Sequence, residues 1–169
     1  MNATTRKNIA ALLFVFAALV QIPHARAVDL THRLGVGFAN QFSTWDLPSI
    51  AVRYYTQSDL GFGANLGVRT RENDSAFGLG VKMVKVIFPE DKMNFYMGAS
   101  AGLLSSKYQS TNDSGFELTA MVGGEFFWAD LPSLGVSFEA GIGITSLSNG
   151  VSFRTIGDHP FKAGMVFYF

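Results

Sequence analysis

Phe161-Lys162-Ala163-Gly164-Met165-Val166-Phe167-Tyr168-Phe169 closes the sequence, and its reading decides the fold. Positions 161, 163, 165, 167 and 169 are all apolar, and the sequence stops on an aromatic residue. Apolar residues at every second position read as a strand with one greasy face. A bare apolar strand invites edge pairing and aggregation unless something covers it. Closing a barrel inside a bilayer removes the edge and gives the apolar face to lipid.

The opposite end of the chain indicates a compartment. Residues 1–27 read as a cleaved secretory signal peptide. Arg6 and Lys7 are the basic start, Ile9 to Ile22 an apolar run, and Ala25-Arg26-Ala27 a small-x-small cleavage pattern. The run is too short for a spanning helix of about 20 residues. The mature part is then one domain, residues 28–169, of 169 − 27 = 142 residues. All 13 acidic residues lie in it and three basic ones are lost with the leader, so its formal charge is 10 − 13 = −3. That balance gives no basic footprint for nucleic acid. The chain has no cysteine, which suits a bacterial envelope protein better than a small disulfide-stapled exported domain. No later apolar run is long enough for a helical span.

The mature chain repeats the terminal pattern. Eight alternating segments are expected: 33–41, 49–55, 60–70, 76–88, 94–104, 115–128, 134–145 and 161–169. One parity is apolar, as in Leu34, Val36 and Phe38, or Leu134, Val136, Phe138, Ala140, Ile142 and Ile144. The other parity is rich in glycine and carries Arg33, Arg53, Arg69, Lys82, Glu117, Glu125, Glu139 and Lys162. A soluble ligand-binding barrel would put its large apolar side chains inside. A narrow membrane barrel needs the reverse. The expected fold is therefore all-β: a closed, antiparallel, up-and-down transmembrane β-barrel of eight strands. Lys85 is the exception, sharing the parity of Met83; a snorkelling side chain near a strand end or a bulge would account for it.

The connections suggest sidedness. Segments 56–59, 89–93 and 129–133 are short, whereas 105–114 and 146–159 are longer and polar, and 71–75 is polar. The short ones are expected on the periplasmic side and the longer ones outside. Two aromatic belts are expected at the interfaces. Tyr54, Tyr55, Phe88, Phe95, Tyr96, Phe126, Phe127, Trp128, Phe167 and Tyr168 would form one; Phe38, Phe42, Trp45, Phe77, Phe116 and Phe161 the other.

Lys162, Gly164, Phe167 and Phe169 fit the order polar, glycine, aromatic, aromatic at a carboxyl terminus. This resembles the signal by which the barrel assembly machinery recognises its clients. The mature chain resembles the small eight-stranded bacterial outer membrane barrels, such as outer membrane proteins A and X. The resemblance implies a bacterial outer membrane location and partners that include outer membrane lipids, lipopolysaccharide and the assembly machinery. It names no function, because a fold does not fix one.

The eight inward charges could line a pore or pair into a plug, and an eight-stranded lumen is just wide enough for side chains to fill. Pairing is expected, because an unpaired buried charge is costly. Some barrels that this chain resembles are lipid-A-modifying enzymes, such as the deacylase that uses serine, histidine and an acid. Here the mature histidines are His32 and His159, with Asp158, Ser146, Ser148 and Ser152 nearest in sequence to the latter. No spacing enforces a nucleophile–base pair, so solvated loop residues are the expectation. Asn73-Asp74-Ser75 and Asn112-Asp113-Ser114 are ordinary turn composition. No catalytic, cofactor-binding or metal-binding set stands out. The expected role is structural, or surface interaction through the outer loops; an enzyme or a narrow pore is the alternative.

Overall fold

The computed structural model describes residues 28–42, 44, 47–72, 74–155 and 162–169. The expected signal peptide, and with it Trp45, Asp158, His159 and Phe161, lies outside the described residues.

The strands are β1 (Leu34–Asn40), β2 (Pro48–Tyr55), β3 (Leu60–Arg71), β4 (Asp74–Glu90), β5 (Met93–Tyr108), β6 (Thr111–Trp128), β7 (Leu131–Leu147), β8 (Gly150–Thr155) and β9 (Lys162–Tyr168). Each of β1 to β7 pairs antiparallel with the next. β8 and β9 lie end to end along β7: β9 faces Leu134–Glu139 and β8 faces Ile142–Leu147. Together they make one stave. β9 also pairs with β1, from Gly35↔Tyr168 to Ala39↔Gly164, and this seam closes the wall. The result is a closed, antiparallel, up-and-down barrel of eight staves.

Alternation sets which side chains face in. In β2, Ile50, Val52 and Tyr54 are exposed on the outer wall, while Ser49, Ala51, Arg53 and Tyr55 are buried inside. β4 repeats the pattern with Phe77, Leu79, Val81 and Met83 outside and Ala76, Lys82, Val84 and Val86 inside. An outward apolar face is costly in water, at about 25 cal/mol per Å².

Three expectations are corrected by the strand ends. The two connections expected to be longer, 105–114 and 146–159, hold tight hairpins. β5 runs to Tyr108 and β6 starts at Thr111 in register with it, so only Gln109-Ser110 turn. β7 and β8 meet at Leu147↔Gly150, across Ser148-Asn149. Gly150 has φ 149°, a conformation that glycine accepts without strain. The expected loop 146–159 therefore begins as strand and hairpin, and only its last four residues lie outside the described set. Likewise 71–75 is a hairpin, with Arg71 opposite Asp74. Serine, threonine and asparagine there continue the ladder above the apolar band, because strand pairing does not require apolar side chains. Finally, the eighth stave is longer than 161–169, since β8 extends it upward.

The wall is uneven. β4 to β7 are 16–18 residues long, whereas β1 and β2 have 7 and 8. A tilted spanning strand needs only about 9–11 residues. The long strands rise beyond that on one side of the barrel. We call this end, with its three hairpins and the β1–β2 connection, the upper end. The lower end holds the turns 56–59, 91–92 and 129–130 and the described chain ends Val28 and Phe169.

Lys85 keeps its outward parity and pairs with Asp59 in the adjacent lower turn. The β4–β5 register does shift, but between Val86 and Phe88, beyond Lys85, so the bulge does not turn it inward.

Candidate functional site

The lumen is filled in layers, each set by residues of one parity. The lower layer is apolar and aromatic. Tyr55, Tyr96, Phe127 and Tyr168 come from four strands and are buried with Val84, Val86 and Val166. This corrects the lower aromatic belt: those four rings point inward. Consecutive aromatics such as Tyr54-Tyr55, Phe126-Phe127 and Phe167-Tyr168 occupy opposite faces of a strand, so one of each pair must enter the lumen. Tyr54, Phe88, Phe126, Trp128 and Phe167 do lie on the outer surface.

The segment before β1 folds into the same layer. Leu30 is buried in it, with Val28 packed against the cluster. The His32 N–H donates to the Tyr55 carbonyl and the Asn94 amide to the Val28 carbonyl. The Asp29 carboxylate accepts from the Thr31 hydroxyl and N–H, which holds its pKa below the usual carboxylate value. Arg33 donates to the Ser133 hydroxyl and the Tyr168 carbonyl, both at 2.9 Å. It lies at the lower rim, apart from the other inward charges.

Above the aromatics lies a compact ionic cluster. Glu125 is fully buried and accepts from Arg53 at 2.9 Å, Tyr168 at 2.8 Å and Tyr55 at 3.3 Å. Glu139 accepts from Lys82 at 2.7 and 2.8 Å and from Tyr96 at 2.6 Å. Arg53 bridges the two, with its second terminal nitrogen 3.8 Å from Glu139, and its guanidinium lies 5.7 Å from the Tyr96 ring centroid. Two cations therefore meet two carboxylates, and three tyrosine hydroxyls supply further donors. Such matching is what a low-dielectric interior demands of charges. The tyrosines are the part that sequence reasoning missed. Their signal was parity: Tyr55, Tyr96 and Tyr168 share the parity of Arg53 and the other inward charges.

Higher up, Lys162 is buried and lies 4.0 Å from Glu117. Its ammonium also donates to the Gln41 carbonyl. Arg69 is at the upper rim, partly exposed, and pairs with Asp74 at 3.1 Å. Of the eight inward charges, then, four form one cluster, two a second pair, and two sit near the rims.

The upper layer comes from outside the wall. Described residues of the β1–β2 connection enter the lumen: Gln41, Phe42 and Leu47 are buried, and Phe42 is only 5% exposed. Phe42, placed by sequence in an outer belt, is thus a lumen residue packed with Leu47, Ala76 and Leu104. The Thr44 hydroxyl donates to Glu117 at 3.1 Å and lies 3.0 Å from the Thr145 hydroxyl. The wall makes room by omission, since a Cβ on Gly78 would meet the Phe42 ring at 2.6 Å.

The remaining assembly-pattern residues lie on the closing strand. Gly164 pairs with Ala39 and Ser137, while Phe167 and Phe169 are exposed outside with their rings in edge contact at 5.3 Å. The Phe169 N–H donates to the Leu34 carbonyl. Of the candidate hydrolytic residues, Asp158 and His159 lie outside the described residues, and His32 does not meet the serines. His32 is at the lower end, 3.3 Å from the Tyr54 hydroxyl, whereas Ser146, Ser148 and Ser152 are at the upper end. Ser148 is bonded to the Ser114 backbone. Among the described residues, no group of three or more histidines and carboxylates is placed to hold a metal ion.

The chain is similar in fold to the N-terminal β-barrel domain of Pseudomonas aeruginosa OprF. The TM-score is 0.60 over 82% of this chain and 98% of that one, at 10% sequence identity. At that identity the likeness speaks for the barrel architecture alone. No family model matches the sequence, and no curated protein matches it.

Proposed function

We propose that this chain is a non-catalytic integral protein of a bacterial outer membrane, with a structural role or a role in surface interaction at its upper rim. One observation carries the reading. The outer wall is apolar from Leu34 to Phe167, while the buried charges point to the lumen. Water would penalise that outer face, whereas lipid accepts it.

Delivery would follow cleavage of residues 1–27, with 28–169 as the barrel domain. The motif Lys162, Gly164, Phe167 and Phe169 would engage the assembly machinery. Outer membrane phospholipid and lipopolysaccharide would cover the wall, with the lower turns in the periplasm. Exposed Tyr108, Val151 and Phe153, on the tall side of the upper wall, are the candidate contacts for an external partner. The paired lumen charges support a plug over a conducting pore.

The test is fractionation. The full-length chain should be recovered with outer membranes and migrate differently on electrophoresis before and after boiling. Recovery as a soluble periplasmic protein overturns the proposal. Mass spectrometry of lipid A from cells with and without the protein separates this reading from a lipid-A-modifying enzyme. An unchanged spectrum is expected.

A further inference from the structure

The outer face of the tall side changes character row by row. Strands β3 to β6 hold their outward residues in register there. The lowest of three successive rows is Leu66, Leu79, Leu103 and Phe116, all apolar and exposed. The next is mixed: Val68, Phe77, Ser105 and Ser114. The highest is polar: Thr70, Ser75, Lys107 and Asn112. Residues two apart on a strand share a face, so one ligand can touch all three rows.

The mixed and polar rows line a hollow of about 510 Å³. Ser105 and Ser114 are short side chains within it, with Phe77 beside Ser105 and Lys107 in the row above. Among the described residues Lys107 pairs with no carboxylate. Asp74 and Asp113, each one position away from it in register, belong to the inward parity and are held by Arg69 and Asn149. An unpaired cation at the top of an apolar wall complements an amphiphile with an anionic head. An ammonium binds phosphate as a point charge, and hydroxyl and amide side chains can donate to or accept from a sugar. Four strands at about 4.8 Å spacing make a face roughly 14 Å wide. That is broad for the single head and two chains of a phospholipid. It suits a phosphorylated disaccharide that carries several chains.

We propose that this face is a docking site for lipid A, the phosphorylated glycolipid anchor of lipopolysaccharide. Lys107 takes a phosphate. Thr70, Ser75, Ser105 and Asn112 take hydroxyl and amide groups of the sugars, and the acyl chains lie over Leu79, Leu103 and Phe116. The inference rests on the outer membrane reading, which turns the tall end toward the lipid A leaflet, and adds to it one fixed place on the wall.

The probe is bisphosphorylated lipid A, titrated against the full chain folded in detergent micelles, with bound copies counted by native mass spectrometry. The unaltered barrel should bind it about tenfold more tightly than phosphatidylglycerol. Lys107→Gln should weaken lipid A about fivefold, the effect of one charge-assisted contact, whereas Lys92→Gln in a lower turn should not. Removing the phosphates from the lipid should cost the unaltered barrel affinity and cost Lys107→Gln less, because the partner is already lost. Ser105→Trp, which fills the hollow, should weaken binding without touching the charge. Heat-dependent migration shows that each variant is folded. An equal loss on dephosphorylation in both barrels overturns the proposal, as does phosphatidylglycerol bound as tightly as lipid A. Recovery of the chain as a soluble protein defeats the membrane reading; a membrane barrel with no preference for lipid A defeats this site alone.

Discussion

Glu125 shows how strongly a single inward side chain can be committed. It is fully buried and accepts from Arg53, Tyr55 and Tyr168, so its charge is met by three donors from two strands, β2 and β9. Removing one member of a buried pair leaves the other uncompensated, at a cost of about 3–5 kcal/mol. Arg53→Met should therefore destabilise the barrel by roughly that amount, because it strands Glu125 and weakens the hold on Glu139. Urea unfolding in detergent would measure it. Arg53→Met combined with Glu125→Leu should cost less than the sum of the single changes, since the double variant leaves no orphan at Glu125. Additive losses would mean that the two residues do not act as a pair. Lys85 makes the contrast. Its side chain is 51% exposed and its ion pair with Asp59 lies on the outer surface. A pair of that kind contributes about 0–1 kcal/mol, so Lys85→Gln should leave the unfolding midpoint nearly unchanged.

At the scale of the element, the seam between β1 and β9 is the joint on which closure depends. β1 has only seven residues, and five of them pair with β9. A Cβ on Gly37 would lie 1.9 Å from the Met165 carbonyl oxygen, which is backbone and cannot rotate away. Gly37→Ala should thus lower the fraction of chain that shows heat-dependent migration, whereas Val36→Ala, on the outer face, should lower it less. Equal effects would detach the result from the seam. Phe169 ends the same joint, with its N–H on the Leu34 carbonyl and its ring outside against Phe167. Phe169→Ser keeps the backbone bond and removes the terminal aromatic. Impaired assembly in cells with normal refolding in detergent is the outcome that marks Phe169 as an assembly signal.

The seam also shows what the sequence discloses. Period-two alternation is a local property, so the facing of Leu34, Gly35 and Val36, or of Phe167 and Tyr168, is legible from neighbours alone. So is the inward set from Arg53 to Lys162. The filling of the lumen is not local. Phe42 and Leu47 lie in a connection with no alternation, and their partners are glycines far along the chain. The available signal was a deficit: Gly67, Gly78 and Gly102 remove inward volume that something else must supply. Strand length was misread for a related reason, because polar residues such as Ser105 to Thr111 look like loop when burial is expected to set the strand's end.

At the scale of the molecule, the uneven wall makes orientation a testable property. β4 to β7 reach 16–18 residues, and at about 3.3 Å per residue they exceed an apolar band of about 25 Å even when tilted. Apart from Tyr108, the excess of β5 and β6 is polar and lies at the upper end, around Ser105, Ser106, Lys107, Asn112 and Asp113. A polar, hydrogen-bonded sheet is stable in water, so that end should project from the membrane, while the short turns at Asp91-Lys92 and Ala129-Asp130 stay close to the opposite surface. The chain has no cysteine, so single cysteines can report each end without competition. Ser110→Cys lies in the upper turn between β5 and β6, and Asp130→Cys in the lower turn between β6 and β7, at the two ends of one strand. In intact cells a membrane-impermeant maleimide should label Ser110→Cys and spare Asp130→Cys. After the outer membrane is permeabilised, both should react. Labelling of Asp130→Cys alone in intact cells would invert the barrel and place the upper end toward the periplasm. Equal labelling of both would mean that the apolar wall does not separate two aqueous sides.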